Sequence, residues 1–367
     1  MQHSIIISLF LSLILAIPAR GDDSARRLLY AASPGIRNYL EFGGHGIVVF
    51  DIDNDHQFLK RIPISGLNQQ GKPLNVKGIC ANAKSERLYV STLQHLICLD
   101  LKTDKVLWEK QYEDGCDRMS ISPDGSFVYL PTLERNHWKV VRGSDGSEIT
   151  RVSPHSGAHN TIVGLDGKRA YLAGLRSSFL TVTDCSNHKI LKTVGPFSNS
   201  IRPFTINGSQ TRCIVNINDL LGFEIGDLKT GKMLHRVEVK GFSKGPIKRH
   251  GCPSHGVGMT PDETQIWLSD GANSRIHIFD ATQMPPVQMD SIAVRDQPGW
   301  VTFSINGDFA YPSTGEVIDV PSRKIIAKLT DEKGRMFQSE KMLEIDMLDG
   351  HPVTVGDQFG LGRRRAP

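Results

Sequence analysis

The sequence predicts an all-β fold, a seven-bladed β-propeller closed by pairing of its N- and C-terminal strands. Three observations carry this reading. A strand–turn–strand pattern returns along the chain as CANAKSERLYV (80–90), SISPDGSFVYL (120–130), IVGLDGKRAYL (162–172), TINGSQTRCIV (205–215), GMTPDETQIWL (258–268) and TFSINGDFAYP (302–312). Aligned on the bulky residue of the second strand, these give Tyr89, Tyr129, Tyr171, Ile214, Trp267 and Tyr311. The steps are 40, 42, 43, 53 and 44 residues, the length of a four-stranded blade. The windows alternate with period two and carry no helical stripe, which excludes a solenoid of helices.

Taken in order, the chain opens with an apolar run, SIIISLFLSLILAI (4–17), about the length of a signal-peptide core and shorter than the roughly 20 residues of a bilayer span. Ala19 and Gly21 are small residues at the places needed for cleavage before Asp22. We therefore expect residues 1–21 to be a signal peptide, 22–350 the propeller and 351–367 a C-terminal tail. The mature chain is expected in the periplasm or outside the cell, with no membrane span.

Each unit reads as four strands, A to D. In the third, A is Arg118–Ile121, B Phe127–Leu130, C Trp138–Val141 and D Glu148–Val152. Strand C often ends in aspartate, as in CLDL (98–101), VTDC (182–185) and IFDA (278–281), where a carboxylate accepts hydrogen bonds from the backbone of the following turn. The first unit begins at B (Leu28–Ala31) and lacks an A strand. Lys341–Met347, KMLEIDM, follows the last D strand and would fill the vacancy, closing the ring and removing its exposed edges. Alternation at Val353–Phe359 gives the tail no evident partner.

A composition of 39% hydrophobic and 22% charged residues is that of a globular chain, and a formal charge of +4 does not call for a nucleic-acid partner. The six cysteines form no CxxC pair. Cys80, Cys98 and Cys213 fall inside apolar strands, so we expect mostly reduced, buried thiols.

LYVST (88–92) and SPDG (122–125) resemble the motifs of YVTN-type seven-bladed propellers, and the resemblance spans about residues 28–347. Exported YVTN repeat proteins and the propeller chain of quinoprotein amine dehydrogenases share this architecture. The resemblance implies a fold and leaves the chemistry open. The chain has no CxxCH haem site.

In such a fold the first residues of the inner strands ring one mouth of the channel. Counting twelve back from each aligned residue gives Lys77, Asp117, His159, Arg202, His255 and Gly299, and the next positions add Arg118, Asn160 and Trp300. Positions further along these strands are mainly apolar, so the ring is a polar band with five titratable members of six. The B–C loop Ser33–Gly46 brings Arg37, Tyr39, Glu41 and His45 to the same face, and others bring Arg135, His137, Arg176, Asn218, Asp219, Asp270 and Asn273. The cations favour an anion such as a carboxylate or phosphate.

KRHGCPSH (248–255) explains the long 53-residue step and carries His250, Cys252 and His255; HSGAH carries His155 and His159. A divalent metal on His159, His250 and His255 is the alternative to a mouth without cofactor. There is no GxSxG nucleophile, and KGPIKRHG lacks the aromatics of a nucleic-acid groove. Two functions remain open. One is an exported propeller that binds a small anionic ligand or a protein partner through Lys77, Asp117, Arg118, His159, Arg202, His255 and Trp300. The other is a lyase or lactone hydrolase with His159 or His255 as base and Arg202 or Lys77 holding an oxyanion.

Overall fold

A computed structural model describes residues 25–247 and 249–364. The apolar leader, its cleavage site and Lys248 lie outside the described residues. Within them the strands form seven antiparallel sheets. Blade 2 runs Val76–Asn82, Arg87–Thr92, His95–Asp100 and Val106–Gln111, and blades 3 to 7 repeat this order up to Lys324–Lys328. The only other regular element described is one helical turn, Leu40–Phe42. Among the described residues no helix is long and apolar enough to cross a membrane.

The aromatic residue that sets the repeat is buried between blades, and its hydroxyl is why it recurs. Tyr89 donates to the carbonyl of Gly143 (2.9 Å), Tyr129 meets His188 Nδ1 (2.8 Å), Tyr171 donates to Gln210 Oε1 (3.0 Å) and Tyr311 meets His56 Nε2 (3.0 Å), each on the neighbouring blade. The ring fills apolar inter-blade space while its polar end stays satisfied. Strand D is the outer edge and carries exposed apolar residues such as Val106 and Ile190. The aspartates ending strand C serve their turns as expected: Asp100 Oδ1 accepts from the Lys102 and Thr103 amides, Asp184 Oδ1 from Ser186 and Asp280 Oδ1 from Thr282.

Closure also follows the sequence. Met342–Leu348 pairs with Arg26–Ser33, placing Leu343 opposite Tyr30, and Arg27 Nε reaches Glu344 Oε1 (2.9 Å) from 317 residues away. The tail, which alternation alone left unplaced, adds His351–Val355 as a fifth strand on the channel side of this sheet. It then crosses the channel. Gln358 accepts from the Ile79 amide (3.2 Å) and donates to the Met119 carbonyl (3.0 Å); Trp300 Nε1 donates to its carbonyl. The Gly360 carbonyl accepts from Thr205 Oγ1 (2.7 Å) and the Met259 amide (2.8 Å). Gly360 has φ +60°, and a Cβ there would fall 2.9 Å from Gly258 Cα, so glycine is required at this contact. All six cysteines are buried and unbridged.

Candidate functional site at the channel mouth

The ring residues meet because local backbone irregularity turns them inward. In blade 2 the A–B register slips between Val76 and Gly78, in blade 4 between Ala158 and Asn160, and in blade 5 between Ile201 and Phe204. Lys77, His159 and Arg202 are the extra residues of these bulges, which re-aim a side chain at the end of a strand. Together with Asp117, Arg118 and His255 they line one cavity of about 120 Å³, completed by Arg37, His250, Glu340 and Lys341. At roughly 30 Å³ per water this is the space of about four waters.

The network has two carboxylate centres. Asp117 lies 2.7 Å from His159 Nδ1 and 3.3 Å from Lys77 Nζ. Burial pushes its carboxyl up, but His159 and Lys77 outweigh this and hold it at about 2. Glu340 Oε2 accepts from Lys341 Nζ (2.9 Å) and Arg118 Nη2 (3.2 Å), while Oε1 lies 3.3 Å from His250 Nδ1. Burial opposes its ionisation and is outweighed by Lys341 and its other cationic neighbours, so it stays well below the usual carboxylate range. Burial lowers Lys341 to about 7 and Arg118 to about 10, and pushes the imidazoles of His250 and His255 down as well.

Glu340 is a ring member that counting back from strand B did not find. Each ring residue lies three before the residue facing the aligned position: Cys80 faces Tyr89, Ile162 faces Tyr171 and Gly258 faces Trp267. In blade 1 Leu343 faces Tyr30, so Glu340 holds the seventh place. Gly299, the member without a side chain, is a socket. A Cβ there would fall 2.3 Å from His250 Nε2 and 2.6 Å from Glu340 Oε1, and the imidazole of His250 occupies that space.

Trp300, expected at the ligand, is not among the residues that line the cavity. It is 2% exposed, with the Arg118 guanidinium 3.4 Å from its ring centroid and the ring of Phe359, in the tail, 6.2 Å away. Arg202 is held sideways, Nε donating to Asn218 Oδ1 (2.6 Å) and Nη2 to the Gly251 carbonyl (3.1 Å). The first-blade loop reaches over blade 7 to the insertion: Arg37 Nη2 donates to the Arg249 carbonyl (2.7 Å), and the Arg249 guanidinium stands 5.6 Å from the Tyr39 ring. Other loop residues serve scaffolding. His137 faces Asp114, Arg176 donates to the Glu134 carbonyl, and Asp270 holds the buried His277. His159 is engaged by Asp117, so of the trio His159, His250 and His255 only the last two stand together, with ring centroids 4.6 Å apart and Glu340 as their neighbour. Cys252 turns its thiol to the Ser254 carbonyl (3.2 Å).

Larger clefts exist elsewhere. One of about 800 Å³ lies among the turns of blades 3 to 5, where Asp124, Asp166 and Asp184 are committed to their own turn amides. Another of about 540 Å³ lies at the opposite mouth, against the tail. The first also carries Lys168 and Arg169, but these are exposed, whereas Asp117, Arg118, Glu340 and Lys341 at the ring are buried.

No family model matches the chain, and no curated protein matches it. Among solved structures it is similar to a chain of hydrazine synthase from Kuenenia stuttgartiensis, with 13% identity and a TM-score of 0.45, covering 68% of this chain and 94% of that one. The seven sheets themselves make this chain a seven-bladed β-propeller.

Proposed function

We propose that the channel mouth binds a small anionic ligand, of the size of a simple carboxylate or an inorganic oxyanion. The observation that carries this is the guanidinium of Arg118: its Nη1 is buried with no hydrogen-bond partner among the described residues. A buried charged donor without an acceptor is expensive, and an anion in the adjoining cavity supplies the acceptor. Charge balance points the same way, since the cavity lining sets Arg37, Lys77, Arg118, Arg202 and Lys341 against Asp117, Glu134 and Glu340. The apolar leader at 4–17 supports a role outside the cytoplasm, and the LYVST and SPDG motifs support kinship with exported YVTN-type propellers.

The test is a thermal-shift and calorimetric screen of sulfate, phosphate and small mono- and dicarboxylates on the mature protein. A ligand at 100 times its Kd should stabilise the fold by about 2.7 kcal/mol. Arg118→Gln and Arg202→Ala should each weaken binding, with Arg202→Ala leaving the fold intact because it lies at a strand end. If no anion in the panel shifts melting, or affinity survives both substitutions, the reading is wrong.

A second reading is favoured by one contact. Asp117 Oδ2 at 2.7 Å from His159 Nδ1 orients the imidazole so that Nε2 can serve as a general base, with Lys77 beside it for a developing oxyanion. This supports lactone hydrolysis or lyase chemistry. Turnover of a lactone panel that is lost in His159→Gln would favour it over simple binding.

A further inference from the structure

We infer that His250, His255 and Glu340 form a binding site for one divalent transition-metal ion of the zinc class at the blade 7 edge of the cavity. The inference goes beyond the anion reading and does not depend on it. Three side chains each offer a ligand atom, and these atoms lie within 4.8 Å of one another. They come from three places in the chain: the insertion before blade 6, the start of that blade and the closing segment of blade 1.

Each donor has an uncommitted lone pair. His255 Nδ1 makes its hydrogen bond to the Gly299 carbonyl at 2.9 Å, which fixes the tautomer and leaves Nε2 unprotonated. A backbone carbonyl behind an imidazole is a common second partner of metal-bound histidine. Glu340 gives Oε2 to Arg118 and Lys341, whereas Oε1 is buried without a hydrogen bond. His250 carries its ring proton on Nε2, turned to the space over Gly299, and offers Nδ1, which stands 3.3 Å from Glu340 Oε1. That separation is close to the roughly 3.4 Å between two tetrahedral ligands bound at about 2.1 Å. The glycine at 299 is what admits the His250 ring.

Two imidazoles and one carboxylate suit zinc, cobalt or iron and not calcium or magnesium, which take oxygen ligands. His250, His255 and Glu340 all line the cavity, which is where a further ligand of the ion would come from. Arg118 and Lys341 repel a dication, and Glu340 together with a water or an anion as the fourth ligand offsets them.

The test uses metal-stripped mature protein titrated with Co²⁺ and Zn²⁺. We expect one equivalent bound, visible d–d absorption of four- or five-coordinate Co²⁺, and displacement of Co²⁺ by Zn²⁺. His250→Ala and His255→Ala should each weaken Co²⁺ by more than the roughly 10–100-fold that loss of an outer-shell partner costs. Gly299→Ala removes no donor but evicts His250, so it should weaken binding in the same way. His137→Ala, on the same face, should leave the Co²⁺ affinity at the parent value. Binding of well under one equivalent, or an affinity unchanged in both His250→Ala and His255→Ala, overturns the site. Sulfate affinity measured on the same samples separates the two readings, because loss of metal binding with sulfate binding retained rejects only the metal.

Discussion

Replacing Glu340 by glutamine keeps its shape and removes its charge, and the surroundings set the size of the effect. Glu340, Arg118 and Lys341 are 5%, 4% and 4% exposed. Without the carboxylate, two cations are left buried with no counter-charge on that side. Breaking a buried ion pair in this way costs about 3–5 kcal/mol. Lys341, already lowered to about 7, can shed its proton, which places the expected loss near 3 kcal/mol at neutral pH. At about 2 °C per kcal/mol for a chain of this size, the melting temperature should fall by roughly 6 °C. The double variant Glu340→Gln/Lys341→Met should recover part of this, since it removes one of the stranded charges. The pH dependence has a fixed sign. With its folded pKa depressed, Lys341 binds fewer protons folded than unfolded from about 7 up to its ordinary value, so stability rises with pH there. The slope is at most about 1.4 kcal/mol per pH unit, steeper in Glu340→Gln than in the parent and absent in the double variant. Calorimetric melts between pH 7.0 and 8.5 measure all of this. A Glu340→Gln protein melting within 1 °C of the parent, or a double variant no more stable than the single, would refute the argument.

Deleting residues 341–367 removes the inner strand of blade 1 and should cause aggregation or loss of cooperative melting; a truncated protein melting as sharply and as high as the parent would disprove the closure. Phe359→Ala, in a side chain 3% exposed beside Trp300, should destabilise by about 3 kcal/mol, read as a shift in urea midpoint with the Trp300 environment followed by fluorescence. Asp117, held at about 2, contributes stability that is present above its ordinary value of 3.8 and lost as pH falls through 2. Asp117→Asn should therefore flatten the acid limb of the stability curve by about 2 kcal/mol, and an unchanged limb would mean that His159 and Lys77 do not hold this carboxylate. N-terminal sequencing of protein from its native host should begin at or near Asp22; an intact Met1 on membrane-bound material would replace export with anchoring.

The fold was legible because each blade must solve the same packing problem. An aromatic with a hydroxyl at Tyr89, Tyr129, Tyr171 and Tyr311 fills the inter-blade gap and bonds across it, so its spacing is the blade length. Ring members on continuous blades were legible for the same reason. Glu340 was not, because its blade is assembled from both chain ends, and counting back from Tyr30 leaves the propeller. The pairing of Leu343 with Tyr30 is a matter of register, which alternation in KMLEIDM leaves open by two residues in either direction. His250 reaches the ring from a loop, and the vacancy at Gly299 marks its place only once the backbone is known. The tail alternated visibly at 353–359, yet an added strand draws its partner from shape and register. Arg202 and Arg118 are equivalent cations in the sequence; in the fold, hydrogen bonds to Asn218 and Gly251 commit two nitrogens of Arg202, and Arg118 retains the buried unpartnered one.

The ion pair between Arg27 and Glu344 joins residues 317 apart, which has a consequence for how the protein is made. A ribosome adds about 5–20 residues per second. The first strand of blade 1 therefore emerges roughly 15–60 s before the strand that completes it, whereas a hairpin forms in about 1–10 μs. Blades 2 to 7 can each fold as they appear. Blade 1 spends that interval with its inner edge open, and the buried groups of Ala31 and Ala32 stay accessible to other nascent chains. The hazard is set by translation time and not by pairing kinetics, so slowing synthesis downstream of blade 1 should favour misassembly, and supplying residues 341–364 early should suppress it.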